Sequence, residues 1–184
     1  MDLRPAAALA MAAACWAAPA AAAPKDCRIL PPNVRESAVY AGFSESRMCE
    51  AGLKPLWQGL PEGAAQVMRF TFSSGHALFW RSVTIIQLPD GTGRLEVVGG
   101  GFERRDVRSP WVDLRPVRRR LSAEALSNLA ALAEQTGTFD HAVGSWHAGD
   151  PADVIYLHCQ TLEMERADAV GYRFSSINIG CTRP

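Results

Sequence analysis

The sequence predicts an α+β fold: an antiparallel sheet of about five to six strands packed in two layers against one main helix, with disulfide-stapled ends. Three observations carry this expectation. Runs rich in β-branched and aromatic residues recur at 67–72, 80–88, 94–98, 111–117, 153–161 and 172–179. One segment alone, between Ser122 and Gly137, combines helical periodicity with a stop and a start signal. Four cysteines, Cys27, Cys49, Cys159 and Cys181, form two pairs near opposite ends of the chain, each pair separated by 22 positions.

The chain has 184 residues, 48% hydrophobic and 8% aromatic, with 19 basic and 19 acidic residues and a formal net charge of zero. That balance excludes a disordered charged tail, a collagen-like chain and a knottin-type scaffold. It also disfavours a globally basic nucleic-acid binder, so no nucleic-acid partner is expected. Residues 1–23 carry Arg4, an apolar run from Ala6 to Ala18 and then small residues, which is the layout of a secretory signal peptide. The run is short and weakly apolar for a span, which needs about 20 strongly apolar residues. Ala12-Ala13-Ala14-Cys15 resembles a bacterial lipobox, so membrane attachment is expected only if Cys15 is lipidated. The expected address is periplasmic or secreted, with a lipid-anchored envelope protein as the variant. In an exported chain the four later cysteines allow three connectivities, of which local pairing, Cys27–Cys49 and Cys159–Cys181, closes the smaller loops.

Along the mature chain, residues 24–63 read as an irregular N-terminal segment with one short helix. Its prolines and glycines confine that helix to about 44–51, with Ser44 as N-cap and Gly52 as C′ residue. Leu53, Leu56, Trp57 and Leu60 follow as a hydrophobic strap. Residues 64–184 form the α+β domain. Pro89-Asp90-Gly91-Thr92-Gly93 is a hairpin turn, since Pro fixes φ and Gly supplies φ > 0. Gly99-Gly100-Gly101 reads as the end of the returning strand and a bend, and Pro116 puts the 111–117 strand at an edge. Ser122 caps the main helix, Leu121 staples onto Leu126, and Leu126, Leu129, Leu132 and Ala133 line its apolar face until Gly137 stops it.

The run Cys49-Glu50-Ala51-Gly52-Leu53-Lys54-Pro55-Leu56-Trp57, then Arg69-Phe70 opening a sheet and Leu121-Ser122 opening a helix, resembles a set of small exported proteobacterial proteins of no assigned activity. The resemblance implies an address and a general fold. It carries over no functional residue.

Catalytic patterns are sparse. His141, His147, Asp150, Asp153 and His158 fall within eighteen residues and offer the ligand types a divalent ion needs. No spacing sets two of them on one helical face, so a metal-assisted hydrolase on this His/Asp-rich loop is the alternative function, and no cofactor is expected. Ser145 and His147 lie two apart without the strand–turn–helix context of a nucleophile elbow. Glu163 and Glu165 share a strand face and fit acid/base work by spacing, but read more simply as an exposed acidic strand end.

Charge patterning is the most informative signal. Residues 94–120 hold eight arginines against four acids, whereas 121–170 hold eight acids against Arg166. Either the two stretches pack together and neutralise one another, or the arginines face an acidic partner outside the chain. Arginine suits bidentate contact with phosphate or carboxylate. The candidate partner-binding residues are Arg115, Arg118, Arg119 and Arg120, and the candidate partner is an anionic envelope component or an acidic protein. Period-two alternation sets Arg118 and Arg120 on one face, with Arg119 on the other beside Val117 and Leu121. The function this supports is a non-enzymatic exported binding module.

Overall fold

The central strand β1 (Gln66–Ser74) pairs antiparallel with β2 (Phe79–Gln87) on one side and with β6 (Gln160–Asp168) on the other. The computed structural model describes residues 27–37, 41–74, 76, 78–141 and 160–179. Beyond β2 lies β3 (Gly93–Phe102), and beyond β6 lies β7 (Tyr172–Ile179). Two short strands share the edge beside β3: β4 (Trp111–Asp113) pairs with residues 100–102, and β5 (Val117–Leu121) with residues 93–97. Among the described residues, seven antiparallel strands therefore fill six positions, and the α+β class expected from sequence is the fold.

The edge strand expected over 111–117 is broken. Leu114 N–H donates to the Gly99 carbonyl at 2.8 Å, the ladder then lapses, and pairing resumes at Val117. Pro116 has no N–H to give to that ladder. The glycine triplet does not end β3, as the sequence suggested. Gly99, Gly100 and Gly101 remain in register with Arg81, Trp80 and Phe79, and the strand ends at Phe102. The hairpin between β2 and β3 closes as expected, with Thr92 donating from its N–H to Asp90 Oδ1 at 2.9 Å. At the other end of the sheet, β6 starts at Gln160, so only the tail of the expected 153–161 strand coincides with it; residues 153–159 lie outside the described residues.

Helix α3 (Ala123–Gln135) covers one face of the sheet. The Ser122 side chain accepts from Ala125 N–H at 3.2 Å, satisfying one of the four amides a helix start leaves open. At the other end Gly137 takes φ 59°, its N–H donates to the Glu134 carbonyl and that of Thr138 to the Ala133 carbonyl. Those two bonds form a Schellman closure that only a residue tolerant of the left-handed region makes cheaply. Leu126, Ala133 and Phe139 pack on Met68, Ile85 and Met164, with Leu129 partly buried beside them. Leu132 does not join this face: it is 55% exposed. Six residues beyond Leu126 at about 100° each, it points roughly 240° around the helix, away from the stripe that Leu129 and Ala133 continue.

The opposite face is covered by the N-terminal segment. There α1 (Pro32–Ser37) precedes α2 (Ala41–Glu50), which starts three residues ahead of the helix expected from sequence, so Ser44 lies inside it and not at its cap. Gly52 closes α2 with a second Schellman pair, its own N–H to the Cys49 carbonyl and that of Leu53 to Met48, at φ 71°. Ile29, Leu30, Val34 and Met48 pack against Trp80, and the expected strap brings Leu56 onto Val67, Ile86 and Ala167. Cys27 and Cys49 are joined by a disulfide, which ties the start of this segment to the end of α2. Cys159 and Cys181 lie outside the described residues. Arg47 on α2 stacks its guanidinium 4.0 Å from the Trp111 ring, reaching the edge strand β4.

Candidate functional site

The register of β5 on β3 decides where the four arginines point. Arg120 lies opposite Arg94 and Arg118 opposite Glu96, on the α2 side of the sheet; Arg119 lies opposite Leu95 on the α3 side, with Val117 and Leu121. The alternation expected from sequence is the one found. All four candidate arginines are exposed, Arg115 in the break between β4 and β5 and the other three on β5. Val117 is exposed as well, so both faces of this edge meet solvent.

Their electrostatic surroundings are sparse. Glu96 Oε1 lies 3.2 Å from Arg94 Nε and 3.8 Å from Arg118 Nε. One carboxylate thus serves two guanidinium groups, while Arg120 faces Arg94, a like charge across the ladder. Among the described residues, Arg115, Arg119 and Arg120 form no ion pair. Among the described residues, the acids after residue 121 form no ion pair with them. Glu134 and Asp168 both pair with Arg166, Asp140 lies 3.8 Å from Arg173, and Glu163 and Glu165 are inside the protein.

That last placement overturns the sequence reading of Glu163 and Glu165 as an exposed strand end: they are 3% and 1% exposed. Both point to the α2 side, in a polar layer between sheet and helix. One cross-strand row is Ser82, Thr71, Glu163 and Ser176; the next is Thr84, Arg69, Glu165 and Phe174. Glu163 Oε1 accepts from Ser44 Oγ at 2.8 Å, while its Oε2 has no hydrogen-bond partner among the described residues. Burial pushes the Glu163 carboxyl up to about 8, against the Ser44 bond and with help from the nearby charges of Glu165 and Glu45.

Glu165 is also raised by burial, with Arg69 acting in the opposite sense. Arg69 donates to Glu165 Oε2 at 3.2 Å and to the Lys54 carbonyl at 2.8 Å, and Tyr172 donates its hydroxyl to Glu165 Oε1 at 3.1 Å. Burial, then the Glu165 charge, hold the Tyr172 hydroxyl above its ordinary value. Glu45 completes the layer by accepting from the Ile29 and Leu30 amides at 2.9 and 3.1 Å. Three buried carboxyl groups thus share this layer with one guanidinium, Arg69, which pairs with Glu165. This layer can hold a proton and fix α2 on the sheet, but it presents no reacting group to a substrate.

The metal alternative finds no support in the described part of the chain. His141 is exposed after α3, and His147, Asp150, Asp153 and His158 lie outside the described residues. Among the described residues, no three His, Cys, Asp or Glu side chains are grouped to hold an ion. Ser145 also lies outside them. No helix among the described residues is long and apolar enough to cross a membrane. No family model matches the chain, and no curated protein or solved structure matches it either.

Proposed function

We propose that the protein is an exported, non-enzymatic binding module that meets an anionic component of the cell envelope through its β5 edge. One observation carries the reading: Arg115, Arg119 and Arg120 stand exposed at a sheet edge without a carboxylate partner among the described residues, beside an Arg94–Glu96–Arg118 cluster short of one negative charge. Unpaired guanidinium groups at high local density attract polyanions, and their planar forks suit phosphate and carboxylate. Export is supported by the layout of residues 1–23, by the resemblance to small exported proteins, and by the Cys27–Cys49 disulfide, a bond that persists in oxidising compartments.

The test reverses charge where the fold is indifferent to it. Arg118→Glu with Arg120→Glu is expected to abolish retention on an anionic envelope fraction, with the unfolding free energy changed by less than about 0.5 kcal/mol. Wild-type retention is expected to fall as ionic strength rises toward ~1 M. Retention that survives the double reversal, or ignores salt, leaves the edge as a solvated surface only.

A further inference from the structure

On the α3 side of the sheet, next to the arginine edge but on the face opposite Arg118 and Arg120, the helix leaves the β2–β3–β4 corner uncovered. Phe72, Phe79, Val83, Val112 and Leu114 line a groove there of about 660 Å³, within the ~300–1,000 Å³ span of small-ligand sites. Val112 and Leu114 are 48% and 41% exposed, so the groove carries apolar area that nothing in the described chain covers. Gly101 keeps its floor open, since a Cβ there would stand 2.9 Å from that of Phe79. The charged residues at its rim are Arg81, Arg105 and Glu103. Arg105 takes φ 53°, rare for a residue with a side chain, and its guanidinium lies 5.8 Å from the Phe79 ring.

We infer that this groove binds a single-chain anionic amphiphile, its alkyl chain along Phe72, Phe79 and Val83 and its headgroup between Arg81 and Arg105. Two features select this class of ligand. Among the described lining side chains none is a hydroxyl, an amide or an imidazole, so a sugar or a nucleotide would find no neutral group there to read it. The floor is a sheet face whose β2–β3 ladder is already paired, so an extended peptide lying along it finds no free backbone to add to; the open backbone is on the outer flank of β4. What remains on offer is apolar surface and two guanidinium groups against one carboxylate. This inference does not rest on the edge reading, because no groove residue is Arg118 or Arg120.

The test is equilibrium binding to the purified, oxidised full chain. The probes, each below its micelle concentration, are dodecanoate, hexanoate and dodecyltrimethylammonium; phosphatidylglycerol vesicles form a separate arm. Dodecanoate is expected to bind one to one, on the order of 100-fold tighter than hexanoate. It is also expected to bind about tenfold tighter than the cation of equal chain length. Val112→Asp with Leu114→Asp should weaken dodecanoate by about tenfold or more. Arg81→Glu with Arg105→Glu should abolish the preference for anion over cation while the unfolding midpoint holds. Arg118→Glu with Arg120→Glu should leave dodecanoate binding unchanged, which separates this site from the edge. Equal affinity for anion and cation, binding to vesicles alone, or a dimer that dissociates on Val112→Asp with Leu114→Asp without any dodecanoate binding would each overturn it.

Discussion

Ser44 on α2 donates a 2.8 Å hydrogen bond to Glu163 on β6, across 119 positions of sequence and in the fully buried layer between helix and sheet. The acceptor's second oxygen has no partner among the described residues, so this one hydroxyl faces a carboxyl group that burial keeps protonated. The layer's charge state is therefore part of how the N-terminal segment holds the sheet, and three consequences are open to measurement.

Glu163 holds its proton to about pH 8 in the folded chain, against an ordinary value of 4.5. Between those values the unfolded chain has released the proton and the folded chain has not. The stabilisation from this group is complete below the ordinary value. It declines by about 1.4 kcal/mol per pH unit as pH rises, and is lost above the folded value. Glu163→Gln keeps an acceptor for Ser44 and removes the titration. Urea unfolding across that window should show a flatter pH profile for the variant; superimposable profiles would mean that the carboxyl is ionised in the fold.

Among the described residues, Arg69 is the one guanidinium within reach of Glu165 in this layer. Arg69→Met should cost about 3–5 kcal/mol, because the neighbouring carboxylate is left buried without its counter-charge. Adding Glu165→Leu should recover most of that loss, since no isolated charge remains. Denaturant titration of the two variants decides the matter: a single substitution costing under about 1 kcal/mol would contradict a dry ion pair.

The Cys27–Cys49 bridge closes a loop spanning 22 positions around α1 and α2. Replacing both cysteines by serine should lower the unfolding free energy by about 3 kcal/mol. Hydrogen exchange should show faster opening in α1 and α2, with the amides of β1 and β2 still protected. Uniform acceleration over the whole sheet would show instead that the segment and the sheet open as one unit.

What could be read in the sequence divides along a physical line. Helix α3 was legible from Ser122 and Gly137 because caps act within one turn, and the bounds of β7 came from local composition alone. The sides taken by Arg118, Arg119 and Arg120 followed from the two-residue period of a strand, which needs no knowledge of the partner strand. The burial of Glu163 and Glu165 was not legible. Apolar Leu162 and Met164 alternating with two glutamates describe a strand with one wet face, and only the N-terminal segment, about a hundred residues or more earlier, makes that face dry. The same holds for the arginine edge: the charge balance was visible, but that Arg166, Arg173 and the interior take up Glu134, Asp140, Asp168, Glu163 and Glu165 depends on tertiary packing.

The position of β1 in the sheet also bears on the order of assembly. Its pairing with β2 joins neighbours along the chain, and so does that of β6 with β7, but Gln66 meets Asp168 and Ser74 meets Gln160. The sheet is thus two local ribbons joined at a seam down its middle. During synthesis β1 waits with one flank bare until residues 160–168 have left the ribosome. Among the strand pairings, closing that seam carries the largest loop entropy, which places refolding in the milliseconds-to-seconds range and makes docking of the β6–β7 hairpin the slow step. A chain stopped before residue 160 would keep the β1 flank as an open edge, poised to pair with the same flank of another copy.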